Sequence, residues 1–370
     1  MSRSVQGETM AFGIGIIGCG GIAGVHAQAA TRAGLPIVAV WDIKPDRAQR
    51  LAQTHGARVC ASIDELVAIH EVKGVAICVP NDCHHPCAIK ALTAGKHVLL
   101  EKPMAMDLPQ CDEIAAAAAR SGTTLQIGFV CRGSPAARCV KSFIDAGRFG
   151  SIHHIKCALY RRRGIPGLGG WFTTKARSGG GPLIDLGVHM LDLSLWLAGS
   201  PRPVRASGAT MSGLGAAMRD YTYTSMWAGP PKFDGVCDVE DCATALVRCE
   251  GGLTIEMNVS WAANLPEGHL KDGLCVIGSK AGAAFQVFGK EVTIATEEEG
   301  HLVDLKPHFV ADDPERQMWD EQYRQFIDAV EGRAQPHADA PAGRRVQALV
   351  EAIYRSADES REVEVAGSRP

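Results

Sequence analysis

Residues 12–23 have the sequence Phe12-Gly13-Ile14-Gly15-Ile16-Ile17-Gly18-Cys19-Gly20-Gly21-Ile22-Ala23. The apolar run 12–17 is typical of a short buried strand, and residues 22–33 have the pattern of a helix. Between them, G-x-G-x-x-A places Gly18 in a tight turn and lets the backbone at Gly20 approach a pyrophosphate. The small side chain of Ala23 lets the helix pack against the strand. This segment therefore predicts a strand–turn–helix unit that binds a dinucleotide.

The residues of this turn are candidate cofactor ligands, because N–H groups and the positive dipole at a helix N-terminus attract phosphate. They are Gly18, Gly20, Gly21, Ile22 and Ala23. Asp42 follows the second apolar run, where a carboxylate accepts hydrogen bonds from the adenine ribose and repels a 2′-phosphate. NAD is therefore the expected cofactor, although the nearby Lys44 leaves NADP open. A plain glycine turn with a capping Asp is the alternative.

Strand-like and helix-like segments alternate through the first third of the chain, which predicts βαβ units and a parallel sheet. The strand-like runs are 12–17, 36–41, 75–79, 96–100 and 124–129. After about residue 130 the pattern changes to strand-like runs suited to an antiparallel sheet with helices on one face. These runs are 152–162, 244–248, 253–260, 272–277 and 283–288. We therefore expect a dinucleotide-binding domain at 11–130 and an α+β substrate-binding and oligomerisation domain at 131–370.

Composition and charge exclude several classes of protein. The 370 residues carry 38 Lys and Arg against 41 Asp and Glu, so no basic surplus supports binding to nucleic acid. Residues 10–31 contain no charged side chain and are long enough to cross a bilayer. Their six glycines and His26 favour the strand, turn and helix instead, so we expect neither membrane insertion nor export.

The cysteines predict a reducing compartment. There are 13, an odd number without repeating spacing, in a chain long enough to fold without disulfides. We therefore expect free thiols and a cytoplasmic protein. The segment Cys83-His84-His85-Pro86-Cys87 could hold zinc, but no second ligand pair follows at the spacing of a zinc finger. No metal is expected.

Two further motifs follow predicted strands of the parallel sheet. Pro80-Asn81 and then His84 come after run 75–79, and Glu101-Lys102 comes after run 96–100. The carboxyl ends of such strands face the cofactor crevice, which makes these residues candidate cofactor ligands. Lys102 could also donate to a substrate hydroxyl and stabilise the alkoxide that forms as hydride leaves. A simple turn and a solvated lysine are the alternatives.

A polar stripe follows the glycines at 179–181. Asp185, His189 and Asp192 stand at i, i+4 and i+7 of a predicted helix and therefore share one face. A histidine between two carboxylates suits a general base, because a neighbouring carboxylate orients the imidazole and makes it more basic. A histidine packed inside the helix remains an alternative, and a metal site lacks a third ligand.

The order of these motifs closely resembles the Gfo/Idh/MocA family of oxidoreductases, from about Gly13 to Val363. Each motif is weak alone, but together they are specific. The resemblance implies a Rossmann domain followed by a domain with an open, mostly antiparallel sheet that carries the substrate site. It also implies a catalytic set on Lys102, Asp185 and His189, and often a homo-oligomer, here a dimer or a tetramer.

Two departures from the family pattern leave the substrate open. Val79 stands where Thr is frequent, and residues 130–133 keep one Arg of the frequent Asn-Arg-Arg-Phe. We expect substrate contacts from a rim of polar and aromatic side chains. The rim residues are Arg132, Arg163, Trp171, Thr173 and Lys175, and the indole of Trp171 would stack on a pyranose face. A solvated basic stretch beside a core aromatic is the alternative, and Trp261 and the loop 221–234 are weaker candidates.

The resemblance and the residues together predict a dehydrogenase that acts on a secondary alcohol of a sugar, cyclitol or glycoside. His189 would take the hydroxyl proton, Lys102 would bind the same oxygen, and Asp185 would hold the substrate and tune the pair. Two other functions stay open. One is a glycosidase that oxidises and re-reduces its substrate with a retained NAD, and the other is a non-catalytic NAD- or sugar-binding regulator.

Overall fold

The computed structural model describes residues 12–220, 222–223, 228–266 and 272–367. These residues form a six-stranded sheet and a nine-stranded sheet. No helix among them is both long and apolar enough to cross a bilayer.

The first sheet is parallel throughout, with strand order β3-β2-β1-β4-β5-β6. Its strands are β1 Gly13–Ile17, β2 Ile37–Trp41, β3 Arg58–Val59, β4 Val72–Ile77, β5 His97–Leu100 and β6 Leu125–Ile127. The connecting helices are α1 Gly21–Arg32, α2 Pro45–His55, α3 Ile63–Ala68, α4 His84–Thr93 and α5 Leu108–Ser121. The order reverses between β1 and β4, and a doubly wound sheet binds its ligand at the carboxyl ends there. The predicted Rossmann architecture is confirmed.

Local sequence explains where several of these helices begin. The Ser62 hydroxyl accepts a hydrogen bond from the Glu65 N–H and caps α3. Asp107 caps α5 in the same way through the Gln110 N–H. Because each cap satisfies an otherwise unpaired N–H group, the helix begins at a defined residue.

The second sheet is mixed and mostly antiparallel, with order β14-β13-β12-β11-β7-β10-β9-β8-β15. Its strands are β7 Ile152–Tyr160, β8 Pro203–Met211, β9 Cys242–Cys249, β10 Thr254–Ser260, β11 Gly273–Gly278, β12 Ala281–Phe285, β13 Val292–Glu298, β14 His301–Leu305 and β15 Val363–Glu364. The central pair β7–β10 is parallel, and the other pairs are antiparallel. The predicted second fold is confirmed, although β8, β13, β14 and β15 were not expected.

Five further helices connect and cover the two sheets. They are α6 Pro135–Asp145, α7 Lys175–Ser178, α8 Val188–Leu197, α9 Pro314–Val330 and α10 Ala340–Glu359. Helix α8 packs on β7 and β10, whereas α9 returns to α1 and α10 packs on both α5 and β8. The last two helices, α9 and α10, therefore connect the parallel first sheet to the second sheet. The domain boundary at residues 130 and 131 stays a prediction.

Candidate active site

A cavity of about 870 Å³ lies at the carboxyl ends of β1, β2, β4 and β5. One end is lined by the glycine turn and by several residues between positions 41 and 50, at and beyond the end of β2. The other end is lined by the end of β7, several residues between positions 167 and 190, and Trp261. Since ligand pockets have volumes of roughly 300–1,000 Å³, this one has room for an extended ligand.

The glycine turn is shaped by two positions. Gly18 has φ +88°, and a Cβ there would lie 2.5 Å from the Cys78 carbonyl oxygen, so no other residue fits. A Cβ on Gly20 would meet no protein atom within 4 Å, because that position borders the open cavity. Ala23 is fully buried against the sheet. The turn therefore leaves room for a phosphate group at the N-terminus of α1.

Asp42 is held in place at the end of β2. One carboxylate oxygen accepts a hydrogen bond from the Cys19 N–H at 2.7 Å, and the other accepts from the Lys44 N–H at 2.7 Å. Lys44 and Arg47 also line this end of the cavity. The carboxylate is thus fixed beside the glycine turn, with cations close to it.

Asn81 and His84 bind protein backbone at the cavity wall. The Asn81 amide donates to the Ser178 carbonyl oxygen at 2.7 Å. Both ring nitrogens of His84 face carbonyl oxygens, of Pro103 at 2.6 Å and of Val79 at 3.0 Å. Burial lowers the pKa of His84. The ring therefore links the turns after β4 and β5; His84 also lines the cavity, and its contact with the cofactor stays a prediction.

The zinc alternative finds no support around residue 84. His85 binds Glu113 at 2.7 Å, and His84 binds backbone. Within the described ranges no group of three or more His, Cys, Asp or Glu residues could hold a metal ion.

Lys102 and Asp185 form an ion pair in the middle of the cavity. Lys102 Nζ lies 2.7 Å from Asp185 Oδ1, and Trp261 Nε1 donates to Asp185 Oδ2 at 2.9 Å. Arg161 Nη1 lies 3.9 Å from the same Oδ2. Burial alone would raise the pKa of Asp185, but the charges of Lys102 and Arg161 and the hydrogen bonds lower it to about 2. The carboxylate is therefore ionised, and it orients the lysine.

Asp185 lies on a wide helical turn. A π-helical turn spans Leu183–Gly187 and leads directly into α8, so Asp185 and His189 stand on consecutive turns. The Asp185 carbonyl oxygen also accepts a hydrogen bond from Lys102 Nζ, at 3.0 Å. Both a side-chain and a backbone oxygen of this turn therefore bind the lysine.

His189 is less basic than its position in the sequence suggests. Burial and the charge of Lys102 lower the pKa of His189 to about 3, and Asp185 only partly offsets them. In the described part of the chain, its Nδ1 atom is buried and has no hydrogen-bond partner. Asp192, the second carboxylate of the stripe, binds Arg132 instead. The expectation of a basicity raised by carboxylates was wrong, and the imidazole is neutral at neutral pH.

The glycines before this helix fit against a buried carboxylate that the sequence analysis missed. Glu240 accepts hydrogen bonds from the Gly181 N–H at 3.0 Å, the Leu183 N–H at 3.1 Å and the Tyr354 hydroxyl at 2.8 Å. A Cβ on Gly180 would lie 1.9 Å from that hydroxyl oxygen. Glycine is therefore required where Glu240 and Tyr354 fix the start of the helix.

Arg132 does not reach the cavity, contrary to the prediction that it contacts substrate. Its guanidinium makes two hydrogen bonds to Asp192, at 2.7 and 2.6 Å, and a third to the His337 carbonyl oxygen. Both side chains of the pair are buried. The prediction is corrected because a buried carboxylate takes up this guanidinium.

Three other predicted rim residues also bind protein groups. The Thr173 hydroxyl is buried and donates to the Val236 carbonyl oxygen at 2.6 Å. The Lys175 ammonium lies 5.8 Å from the centre of the Tyr354 ring, and Arg163 binds Asn264. Among the described residues, Trp171 is the member of the predicted set that lines the cavity. The predicted substrate contacts of Arg163, Thr173 and Lys175 stay predictions.

Three aromatic rings and one arginine complete the substrate end, and of these the sequence analysis named Trp171 and, as a weaker candidate, Trp261. Trp171 stacks on Phe172 with ring centres 3.8 Å apart, and Phe172 meets the edge of Trp261 at 6.4 Å. Arg161 directly follows β7, so the strand-end argument used for Lys102 could have found it. In the weaker candidate loop 221–234, residues 221 and 224–227 lie outside the described residues.

Comparison with known proteins agrees with this arrangement. Residues 12–129 match the model of the oxidoreductase family with an NAD-binding Rossmann fold, and residues 137–293 match the GFO/IDH/MocA C-terminal domain. The chain is 32% identical to D-glucoside 3-dehydrogenase of Escherichia coli (strain K12), over 95% of this chain and 97% of that protein.

Solved structures agree as well. GenD2 from gentamicin A biosynthesis, in complex with NAD, is 27% identical, with a TM-score of 0.78 over 98% of this chain and 99% of that one. A levoglucosan dehydrogenase with NADH and levoglucosan has a TM-score of 0.82 over 96% and 99% of the two chains, but its 18% identity supports the fold alone. Family models match both halves of the chain, and a relative matches it over nearly its whole length. The chain therefore belongs to the Gfo/Idh/MocA family of oxidoreductases.

Proposed function

We propose that the protein is an NAD(P)-dependent dehydrogenase that oxidises a secondary alcohol of a small sugar, cyclitol or glycoside. The observation that carries the proposal is the convergence of Lys102, Asp185 and His189 in the cavity that the glycine turn also lines. The curated relative described above, a D-glucoside 3-dehydrogenase, supports this class of substrate.

Each residue of the set has a separate task. Lys102 donates a hydrogen bond to the reacting hydroxyl and stabilises negative charge on its oxygen. Asp185 holds the ammonium group through the 2.7 Å contact, and Trp261 holds Asp185. The neutral imidazole of His189 accepts the hydroxyl proton. The bound nicotinamide would supply the hydride acceptor.

The aromatic rings at 171 and 172 suit the apolar face of a sugar ring. Trp171 lines the cavity and is backed by the stacked Phe172. Arg161, near Asp185, is placed to donate to a second substrate oxygen. We therefore assign substrate contacts to Trp171 and Arg161.

The fixed position of Asp42 supports a preference for NAD over NADP. Asp42→Ser is expected to weaken NAD binding about tenfold and to strengthen NADP binding, because one carboxylate is lost near the ribose while Lys44 and Arg47 remain. Fluorescence titration with each reduced cofactor gives both dissociation constants. Asp64→Ser removes a carboxylate of an exposed ion pair and serves as the control. An unchanged ratio of the two constants in Asp42→Ser would contradict the assignment.

Nicotinamide absorbance of the purified protein tests the activity directly. NAD or NADP is supplied together with inositols, free pyranoses or glycosides. Cofactor reduction with one substrate class supports the dehydrogenase and identifies its substrate. Hydrolysis of a glycoside without net reduction supports the glycosidase with a retained cofactor. Tight NAD binding without any turnover supports the non-catalytic regulator.

We further propose a cytoplasmic homo-oligomer, either a dimer or a tetramer. All 13 cysteines lie in described parts of the chain and are free thiols, which suits a reducing compartment. Large apolar side chains are exposed on strands of the second sheet, among them Met211, Ile277 and Leu302. Exposed apolar side chains on an open sheet are available for association, and sedimentation equilibrium measures the mass in solution.

A further inference from the structure

A buried series of hydrogen bonds leads from α9 to the backbone of the catalytic lysine. The Tyr323 hydroxyl lies 2.9 Å from His26 Nδ1, and His26 Nε2 lies 2.9 Å from Glu101 Oε1. Glu101 Oε2 in turn accepts from the Lys102 N–H at 3.2 Å. His26 and Tyr323 are fully buried, and Glu101 is 7% exposed. The proposed mechanism uses neither His26 nor Tyr323.

The chemistry of the groups sets the direction of these hydrogen bonds. An ionised carboxylate only accepts, so His26 Nε2 donates to Glu101. A neutral imidazole that donates at Nε2 accepts at Nδ1, and the Tyr323 hydroxyl is then the donor. The edge of the Trp319 ring packs against His26 with ring centres 5.0 Å apart. The imidazole is thus held with one N–H aimed at the carboxylate.

Glu101 is a negative charge inside the protein next to the reacting groups. Burial would raise the pKa of Glu101, but the hydrogen bond from His26 and the charge of Lys102 hold it below its ordinary value. A Cβ on Gly128 would lie 2.9 Å from Glu101 Oε1, so the glycine leaves room for the carboxylate. The structure therefore keeps an ion where a neutral group would be easier to bury.

This ion balances charge at the active site. Lys102 and Arg161 contribute two positive charges, and Asp185 and Glu101 contribute two negative charges. When His189 accepts the hydroxyl proton, the imidazole becomes positively charged while the hydroxyl oxygen becomes an alkoxide, whose negative charge is lost as hydride leaves. A neutral Glu101 would remove a negative charge near the imidazolium and would disfavour the proton transfer.

We propose that His26 is a positioning residue for hydride transfer, whose imidazole keeps Glu101 ionised and directed at Lys102. This inference rests on the proposed dehydrogenase function. His26 acts through Glu101 and contacts neither the substrate nor the nicotinamide. This positioning role requires a hydrogen-bond donor at the position of Nε2, and a group other than imidazole can supply it.

Glu101 is the group whose pKa a change at His26 would raise. The other titratable groups that face the pair from neighbouring elements are Cys78, Tyr323, Lys102 and His189. Burial raises the pKa of the Cys78 thiol and of the Tyr323 hydroxyl far above their ordinary values, so both stay neutral. His189, with a pKa of about 3, stays neutral as well.

His26→Phe removes both nitrogens and retains a ring of similar size. Without its donor, the buried Glu101 carboxyl is expected to titrate about one to two pH units higher, because a charge-assisted hydrogen bond is lost. Turnover would then fall as the pH drops through this raised pKa and recover at higher pH. The acidic limb of the kcat–pH profile should move upward by the same amount.

A carbon-13 NMR titration of labelled glutamate carboxyls follows Glu101 without any substrate. The Glu101 resonance is assigned by its absence in Glu101→Gln. In His26→Phe it should titrate at higher pH than in the unmodified protein. If the unmodified protein turns over no substrate, the proposed function fails, whereas this titration still decides the state of Glu101.

Two variants separate this role from simple packing. His26→Gln places an amide donor near the position of Nε2 and should restore most of the original pH profile. Tyr323→Phe leaves the contact between His26 and Glu101 intact and should shift the profile by less than about half a unit. A His26→Phe protein with lower activity but an unshifted profile and an unshifted Glu101 titration would overturn the proposal.

Discussion

Lys102→Ala is expected to lower kcat by a factor of about 10² or more while NAD still binds. The lysine supplies the positive charge beside the reacting oxygen, and its loss also leaves Asp185 with Arg161 as the nearest cation. His189→Ala is expected to have an effect of similar size, because it removes the proton acceptor. Steady-state turnover with the identified substrate, and NAD titration by fluorescence, measure the two quantities separately.

Lys73→Ala is the matched control, since Lys73 is exposed on β4 and lies outside the cavity lining. Its turnover should equal that of the unmodified protein. Normal turnover in both Lys102→Ala and His189→Ala would refute the assigned roles. A loss of NAD affinity equal to the loss of turnover would instead place Lys102 in cofactor binding alone.

Arg132→Met is expected to lower the free energy of unfolding by about 3–5 kcal/mol. Asp192 is 1% exposed, and the variant would leave its carboxylate buried without a cation. Burial already raises the pKa of Asp192 against the opposing charge of Arg132, so the loss of Arg132 raises it further. Denaturant unfolding at neutral pH measures the change.

Removal of both charged side chains tests whether the lost stability comes from the unpaired carboxylate. In Arg132→Met/Asp192→Leu, much of the lost stability should return, because two apolar side chains need no compensation. Arg344→Met breaks an exposed pair with Asp112 and should cost about 1 kcal/mol or less. If Arg132→Met were no more destabilising than Arg344→Met, the buried ion pair would contribute no more to the free energy of unfolding than an exposed one.

The local sequence pattern was sufficient to predict most strands of the first sheet and much of the second sheet. Buried parallel strands such as β1 and β4 are short apolar runs that end in glycine or proline, and such runs are visible without a structure. Strand β8 was missed because Ser207, Gly208 and Ala209 interrupt its apolar pattern. Strands β13 and β14 were missed because they are largely exposed and polar towards the edge of the sheet.

The site was predictable where topology dictates position. Lys102 ends a parallel strand, and the carboxyl ends of such strands share one edge, so its place in the crevice follows from the pattern. Arg132 finds its partner Asp192 60 positions away, and Trp261 binds Asp185 across 76 positions. No local pattern states which distant group a guanidinium or an indole will bind. Burial, which decides the basicity of His189, is likewise a property of the packed chain.

The π-helical turn at Leu183–Gly187 governs how this part of the chain can change in length. Deletion of one residue between Asp185 and His189 would change their spacing from i, i+4 to i, i+3, which shifts Asp185 along the helix by about 1.5 Å and turns it about the helix axis. The carboxylate would then leave Lys102 while the helix itself remained intact. We therefore expect this turn to tolerate point substitution better than a change in length, whereas the connection 299–300, between β13 and β14, should accept an inserted or deleted residue at lower cost.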